Sequence, residues 1–410
     1  MSDTPSDSGG AVTRGSGAPA GGDGPMRGDA PVEGDGPVEG DGPAGGDGPT
    51  THTALRTRFC ELVGCRLPVV QTGMGWVSGA SLTAATSTAG GFGILAAVTM
   101  APDQLARAVA TVRERTGQPF GVNLRADQPD LDDRVELCVR DGVRLVSFAG
   151  APTAGAVARL HDAGILVMPT VGARRHAEKM LGLGVDAVIA QGGEGGGHTG
   201  TIPTSLLLPE VVDAVGDSIP VLGAGGFHDG RGLVAALAWG ADGIAMGTRF
   251  LLTRESRVPD DVKARYLAAG LTDTVVTEAL DGAPQRVIRT PAVDRLARAT
   301  ALTRVPRALR AALAFRRVTG TPVPAVVREG VAMRRNQGLP WSQVLMAANA
   351  PMLVKAALVD GRPDAGVLPT GQVTGSIAEL PTVAELLARI ERDATATLDR
   401  LSAGRSEQTP

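Results

Sequence analysis

The chain has 410 residues, 43% apolar but only 3% aromatic, enough for a large core built from alanine, valine, leucine and isoleucine. Its net charge of −3 hides a division: residues 1–50 carry nine acids and two arginines, a net of −7, leaving +4 on the rest. No apolar run approaches the roughly 18 residues of a membrane span, and MSDTPSDSGG lacks the basic and apolar segments of a secretory signal, so a cytoplasmic location is expected.

Residues 1–52 read as a disordered tail. GDGP or GDAP recurs from residues 22, 28, 34, 40 and 46, and glycine, proline and aspartate cannot offset the entropy of ordering. A calcium-binding nonapeptide repeat does not fit, because proline interrupts every unit and the period is wrong. Cys60, Cys65 and Cys138 are too few and too scattered for a disulfide framework or a zinc site; they read as small buried or half-buried thiols, and no metal is expected.

From Pro68 onward, short apolar runs alternate with helical stretches. The runs are PVVQTG (68–73), GFGILAA (91–97), PFGVNLR (119–125), VRLVSFAG (143–150), ILVMPTVG (165–172), VDAVIAQG (185–192), IPVLGAGG (219–226) and DGIAMGTRF (242–250). Runs apolar throughout, not alternating, imply a parallel sheet covered on both faces. Between them, PDQLARAVATVRERTG sets Leu105, Val109 and Val112 on one helical face. Gly90, Gly117, Gly142, Gly164, Gly184 and Gly240 fit helix ends before the next strand.

Eight such units predict an α/β fold, a (β/α)8 TIM barrel over residues 53–290. An appended, mostly helical C-terminal lobe with a closing segment follows over 291–410. Residues 251–360 read as mostly helical, and PTVAELLARIERDATATLDRL as a final amphipathic helix. The alternative, a doubly wound open sheet, would want a strong GxGxxG turn after its first strand, where this chain has TGMGWVSG.

A barrel of this kind carries its active site at the C-terminal strand ends. Those ends deliver Gln71, Thr72, Gly73 and Met74, then Asn123, Ser147 and Thr170, then Gln191 and the loop to His198, then Gly225, Gly226 and Met246–Thr248. GAGGFHDG (223–230) and MGT (246–248) let backbone N–H groups approach a phosphate, though glycines there also suit tight turns. His198 follows a run of small residues at a strand end, where an imidazole can move protons near neutral pH. Glu194 reads equally as its partner or as a carboxylate accepting N–H groups within the loop. His52 lies at the tail, His161 and His176 on solvent-facing helical patterns, and His228 at a helix start, as a cap or near phosphate.

The segments PVVQTGMGWVSGASLTAATSTAGGFGIL, PFGVNLR, VSFAGAP, VDAVIAQGGEGGGHTG and IPVLGAGGFHDGRGLVAALAWGADGIAMGTRFLLTRES together resemble the nitronate monooxygenase superfamily, which includes flavin-dependent enoyl-thioester reductases. The resemblance covers residues 55–290 and implies a TIM barrel holding FMN non-covalently. It implies that His198 stands near the flavin ring as catalytic acid or base. Asn123 and Gln191 would then contact flavin or ribityl chain, Gly73 and Met74 line the ring, and Gly196 and Gly197 belong to the cofactor loop. Gly225, Gly226, Gly247 and Thr248 would hold the phosphate. EGGGH stands where the family often reads EAGGH, and TGMGWV departs from the common APMAG toward the reductase side, where Trp76 either shapes a pocket or packs.

LPWSQVLMAANAPMLVKAALVDG and AGVLPTGQVTG resemble an actinobacterial branch associated with steroid-ring degradation, whose members act on bicyclic CoA thioesters. Gln372 would reach the flavin site. Eight arginines between Arg304 and Arg335 face one acid, as a solvated surface or as a site for CoA or NADPH phosphates. Nucleic acid is excluded by the lack of aromatic stacking platforms.

The expectation is an FMN-dependent oxidoreductase transferring hydride between NAD(P)H and a small-molecule CoA thioester, with a homodimer as one expected assembly. The alternatives are oxidation of alkyl nitronates with O2, a non-catalytic flavin-binding barrel, and a phosphate-binding isomerase or aldolase. The last lacks a lysine at any predicted strand end for a Schiff base.

Overall fold

The computed structural model describes residues 52–298 and 350–406. The N-terminal tail before His52 and the arginines from Arg304 to Arg335 lie outside the described residues. His52 caps a short 3-10 turn, Thr53–Leu55, its Nδ1 accepting the Ala54 N–H at 3.1 Å.

Eight parallel strands close a barrel in the order β1, β2, β3, β4, β5, β6, β8, β9. They are β1 (Val69–Gln71), β2 (Phe92–Ala96), β3 (Gly121–Arg125), β4 (Leu145–Ala149), β5 (Leu166–Val171), β6 (Val188–Gln191), β8 (Val221–Ala224) and β9 (Gly243–Met246). Each falls inside one of the eight apolar runs. The seam is closed by β1 beside β9, with Val69 opposite Ile244 and Gln71 opposite Met246.

Side chains alternate across this wall. Val69, Val122, Val146 and Val188 pack outward under the helices. Val70, Phe92, Ile94, Leu145, Met168, Ile189, Leu222 and Ala245 fill the barrel, so it is a packed core and not a pore. Helix α1 (Arg58–Val63) plugs one end, and its Phe59 meets Phe92 edge-on with ring centroids 6.0 Å apart.

The outer helices are α2 (Ala80–Thr88), α3 (Pro102–Arg115), α4 (Leu131–Arg140), α5 (Ala154–Asp162), α6 (Arg174–Gly182), α7 (Thr204–Val215) and α8 (Gly230–Ala238). In α3, Pro102 occupies the first turn, where its missing N–H costs nothing, and Leu105, Val109 and Val112 are buried as the spacing requires. Gly90, Gly142, Gly164, Gly184 and Gly240 end helices with φ between 54° and 96°. Gly117 does not: α3 ends in extended backbone at Thr116, φ −149°, whose hydroxyl accepts the Gln118 N–H. Cys60 and Cys138 are buried, and Cys65 is half-buried.

After β9 comes only the four-residue α9 (Thr248–Leu251). The chain continues through α10 (Asp260–Leu267), strands β10 (Thr274–Thr277) and β11 (Gln285–Ile288), α11 (Pro291–Ala297) and α12 (Ala350–Leu358). The strand pair lies inside a span expected to be mostly helical. β11 pairs in turn with β7 (Gly197–His198), giving a small antiparallel sheet, β10-β11-β7. Helix α13 (Val383–Ser406) then packs between α8 and α2 and buries Leu386, Leu387, Ile390 and Ala394. It thereby covers the seam between β9 and β1. Its first turn is tied back to the segment after α9: the Glu255 carboxylate accepts the Val383 N–H at 3.0 Å.

Candidate active site

The apolar filling of the barrel stops one residue short of the C-terminal mouth. Alternation carries Val70 to Thr72, Ile94 to Ala96, Leu145 to Ser147, Met168 to Thr170 and Ile189 to Gln191, while Asn123 sits opposite Ser147. The Asn123 side-chain N–H group donates to Ser147, 3.2 Å to its hydroxyl and 3.3 Å to its carbonyl. A ring of small polar side chains thus crowns an apolar plug. Gly73 lies against Asn123: a methyl group on it would sit 2.3 Å from the Asn123 Cβ. Met74 and Thr72 flank Gly247 in the same way, each 3.4 Å from such a methyl.

On the opposite side, Gly225 (φ 100°) and Gly226 (φ 82°) take backbone conformations that favour glycine. Gly225 abuts Gly192, Gly195 and Thr204 of the β6 loop. Among the described residues, no turn or loop hydrogen bond takes up the N–H groups of Gly226, Gly247 and Thr248. Backbone amides at the glycine-rich ends of β8 and β9 form a candidate cradle for a phosphate-sized anion. Thr248 adds a hydroxyl that accepts the Gly371 N–H at 2.8 Å and so keeps its own proton free to donate.

The loop from Gln191 to Gly200 is pinned on three sides. Gln191 donates through Nε2 to the His198 carbonyl at 2.6 Å. Glu194 turns away from His198: its carboxylate accepts the Thr204 N–H at 2.9 Å and the Thr204 hydroxyl at 2.7 Å, at the start of α7. The loop-internal reading of Glu194 is the one realised, and His198 has another partner. Arg286 of β11 donates to the Gly193 carbonyl at 2.9 Å, and burial pushes its guanidinium pKa down against the pull of Glu194. From the C-terminal side, Gln372 donates its backbone N–H to the Glu194 carbonyl at 2.9 Å, and Gly196 lies against the main chain of Thr370 and Gly371. Gln372 itself donates to the Leu271 carbonyl.

This strap over the mouth, Pro369–Gln372, is held by the buried Tyr266, whose hydroxyl donates to the Pro369 carbonyl at 3.0 Å. Further along, buried Arg249 donates to the Glu379 carbonyl at 2.9 Å; burial and the nearby Arg389 lower its pKa to about 10. The strap lies within AGVLPTGQVTG, the stretch from which Gln372 is expected to reach the flavin site, whereas Arg249 does not stand out in the sequence.

His198 leaves β6 on this loop and enters β7, opposite Gln285 of β11. Its side chain is 68% exposed, whereas that of Asp281 is only 12% exposed, with Oδ2 at 2.7 Å from the His198 Nε2. Burial pushes the Asp281 carboxyl up, but the hydrogen bond and charge of His198, the Ala283 N–H and Gln285 together bring it below the usual aspartate range. Asp127, paired with Arg125 at the end of β3, also feels the His198 charge. An exposed imidazole backed by buried carboxylate is suited to accept and release a proton. Sequence reasoning missed Asp281. The Asp281–Gly282 dipeptide between TVVT and QRVI was the available signal, because Asp-Gly favours a hairpin turn.

The other histidines stand apart from this arrangement. His161 pairs with Asp186 at 2.9 Å on the outer surface, and His176 is exposed on α6. His228 does not cap α8; Asp229 does, accepting the Gly232 N–H at 3.0 Å. Burial pushes the His228 imidazole below its ordinary range, with Asp229 opposing. Trp76 is half-buried with φ 67°, the one non-glycine left-handed residue among the described residues.

The family model for nitronate monooxygenase matches residues 56–393. The chain belongs to the nitronate monooxygenase family. As a member it is a flavin-dependent oxidoreductase, and the cradle fits such a group: its glycines, Gly225 and Gly226 at positive φ, leave room for backbone contact with a phosphate. The chain is 56% identical over 350 residues to a (3aS,4S,5R,7aS)-5-hydroxy-7a-methyl-1-oxo-octahydro-1H-indene-4-carboxyl-CoA dehydrogenase of Mycobacterium tuberculosis, covering 85% of this chain and 99% of that protein. It is 51% identical over 354 residues to the enzyme of the same name from Rhodococcus jostii, covering 86% and 100%. Among solved structures, FabK from Thermotoga maritima superposes with a TM-score of 0.68 at 33% identity, covering 85% of this chain and 99% of that one. No helix among the described residues is long and apolar enough to cross a membrane.

Proposed function

We propose that this member of the family binds FMN at the barrel mouth and oxidises a secondary hydroxyl on a bicyclic CoA thioester, or reduces the ketone in reverse. The observation that carries the reading is His198, an exposed imidazole on a glycine loop at the mouth, bonded to a sequestered carboxylate. The identity to two hydroxyacyl-CoA dehydrogenases over nearly their whole lengths supports the substrate class. The amides of Gly225, Gly226, Gly247 and Thr248 suit the single terminal phosphate of FMN. Gly73, Met74, Asn123 and Gln191 then face the ring and ribityl chain, with Gly197 leaving open space beside them.

The flavin, when bound, supplies a two-electron acceptor. The protein's share is orientation and proton management. His198 takes the hydroxyl proton as the carbinol carbon gives up its hydrogen with the electron pair, and Asp281 stabilises the imidazolium that results. The small side chains of the polar ring and the glycines of residues 192–197 keep the approach to the mouth clear. NAD(P)+ is the proposed acceptor of those two electrons when the hydroxyl is oxidised, and NAD(P)H their proposed source when the ketone is reduced.

Anaerobic absorption spectra test this reading. Bleaching of the flavin by the hydroxyacyl-CoA, with NAD(P)H but not an alkyl nitronate acting as alternative reductant, is the expected result. Bleaching by a nitronate alone would replace it with nitronate oxidation. His198→Ala retaining flavin but turning over at the parental rate would remove the acid–base role.

A further inference from the structure

We propose that Asp281 is a positioning residue that fixes the tautomer of His198, so that Nδ1, not Nε2, exchanges the proton with substrate. The inference rests on the reading of His198 as acid or base. Its basis is geometric. Asp281 Oδ2 lies 2.7 Å from His198 Nε2 and also accepts from Gln285 Nε2 at 2.5 Å, while Oδ1 accepts the Ala283 N–H at 3.1 Å. A carboxylate can only accept, so the nitrogen facing it must carry the proton. In the neutral imidazole the lone pair then belongs to Nδ1. Gln285 Nε2 approaches the same ring nitrogen at 3.3 Å, a longer contact than its own 2.5 Å bond to Asp281 and than the 2.7 Å bond between Asp281 and His198.

Both partners are held by the backbone. Gln285 pairs directly with His198 between β11 and β7, and Thr199 donates its N–H to the Pro284 carbonyl at 3.1 Å. Gly282, at φ 90°, completes the tight turn that aims Asp281 inward. The other charged groups that face the imidazole are Asp127, which feels its charge, and the partner of Asp127, Arg125 of β3. Asp281 and Gln285 thus form a hairpin tip whose two side chains address one ring nitrogen.

The tautomer is read without substrate, by two-bond proton–nitrogen correlation on histidine-labelled full-length protein. His198 is assigned by its loss in His198→Gln among the five histidines. For the neutral imidazole the expected signal is the Nε2–H form; a dominant Nδ1–H form in the parent would overturn the proposal whatever the variants do. In Asp281→Asn the expected result is a mixed population. Its turnover of the bicyclic hydroxyacyl-CoA that names the Mycobacterium tuberculosis relative should fall by about 10²–10⁴ in kcat. KM and flavin absorbance should change little, and Asp281→Glu should recover part of the loss. An unchanged tautomer with unchanged kcat in Asp281→Asn would equally overturn it. Failure of the underlying acid–base reading looks different: His198→Gln would keep its kcat while the parent still shows the Nε2–H tautomer.

Discussion

Replacing Gly196 with alanine would put a methyl carbon 2.4 Å from the Thr370 carbonyl carbon and 2.5 Å from the Gly371 nitrogen. Non-bonded carbons settle at about 3.5–4.0 Å, so the β6 loop and the strap must part by roughly 1 Å. Two hydrogen bonds lie in the path of that movement: Gln372 N–H to the Glu194 carbonyl at 2.9 Å and Gly371 N–H to the Thr248 hydroxyl at 2.8 Å. At about 0.5–1.5 kcal/mol each, their loss predicts a destabilisation of about 1–3 kcal/mol. The effect on rate is larger, because a displacement of roughly 1 Å in a positioning segment costs about 10²-fold.

The assay is steady-state turnover of the hydroxyacyl-CoA beside urea unfolding, for Gly196→Ala and for Gly200→Ala. Gly200 is in the same loop, but a methyl there meets nothing within 4 Å, so that variant should match the parent. Parental kcat, within about threefold, and an unchanged urea midpoint in Gly196→Ala would refute the reasoning.

Other consequences follow from the same geometry. Asp281 has a lowered carboxyl pKa, so its contribution is present above the ordinary aspartate value of about 3.9 and lost as pH falls through the lower folded value. Urea midpoints measured down through that acid range should fall more steeply in the parent than in Asp281→Asn. Phe92→Ala empties the barrel interior and removes the edge-on partner of Phe59, which predicts a loss of about 3–5 kcal/mol by denaturant unfolding. Gly225→Ala forces a side chain into φ 100° and within 2.9 Å of the Thr204 hydroxyl. Strain of about 1–3 kcal/mol at the anion cradle predicts weaker flavin retention, read by flavin fluorescence on dilution.

The barrel was legible because strands buried on both faces are written as unbroken apolar runs, and all eight runs hold a strand. The polar mouth was legible for a related reason: Asn123, Ser147, Thr170 and Gln191 each fall in the C-terminal half of such a run, where a core residue has no cause to be polar. Helix ends were readable where glycine is needed for its backbone, and misread at Gly117, where the chain leaves α3 directly into extended structure. Long-range pairings were not legible. Asp281 is 83 residues from His198, and β10, half-exposed and four residues long, carries little apolar signal. Glu194 posed two options that only the fold could separate, since its partner Thr204 is brought round by the next helix start. The strap contact between Gly371 and Thr248 spans 123 residues and rests on a main-chain donor, which any sequence could supply.

Helix α13 takes the eighth position around the barrel, and that carries a consequence for biosynthesis. The last wall strand ends at Met246, yet the helix that covers the seam begins at Val383. At about 5–20 residues per second, a ribosome needs roughly ten to thirty seconds to deliver it. Throughout that interval the flanks of α2 and α8 that α13 will cover are open, and the strap that sets the His198 loop is made only near its end. The nascent chain therefore passes through a stage that holds a nearly complete barrel without a working mouth, exposing an apolar seam to chaperones. A chain cut short before Val383 would be halted at that stage.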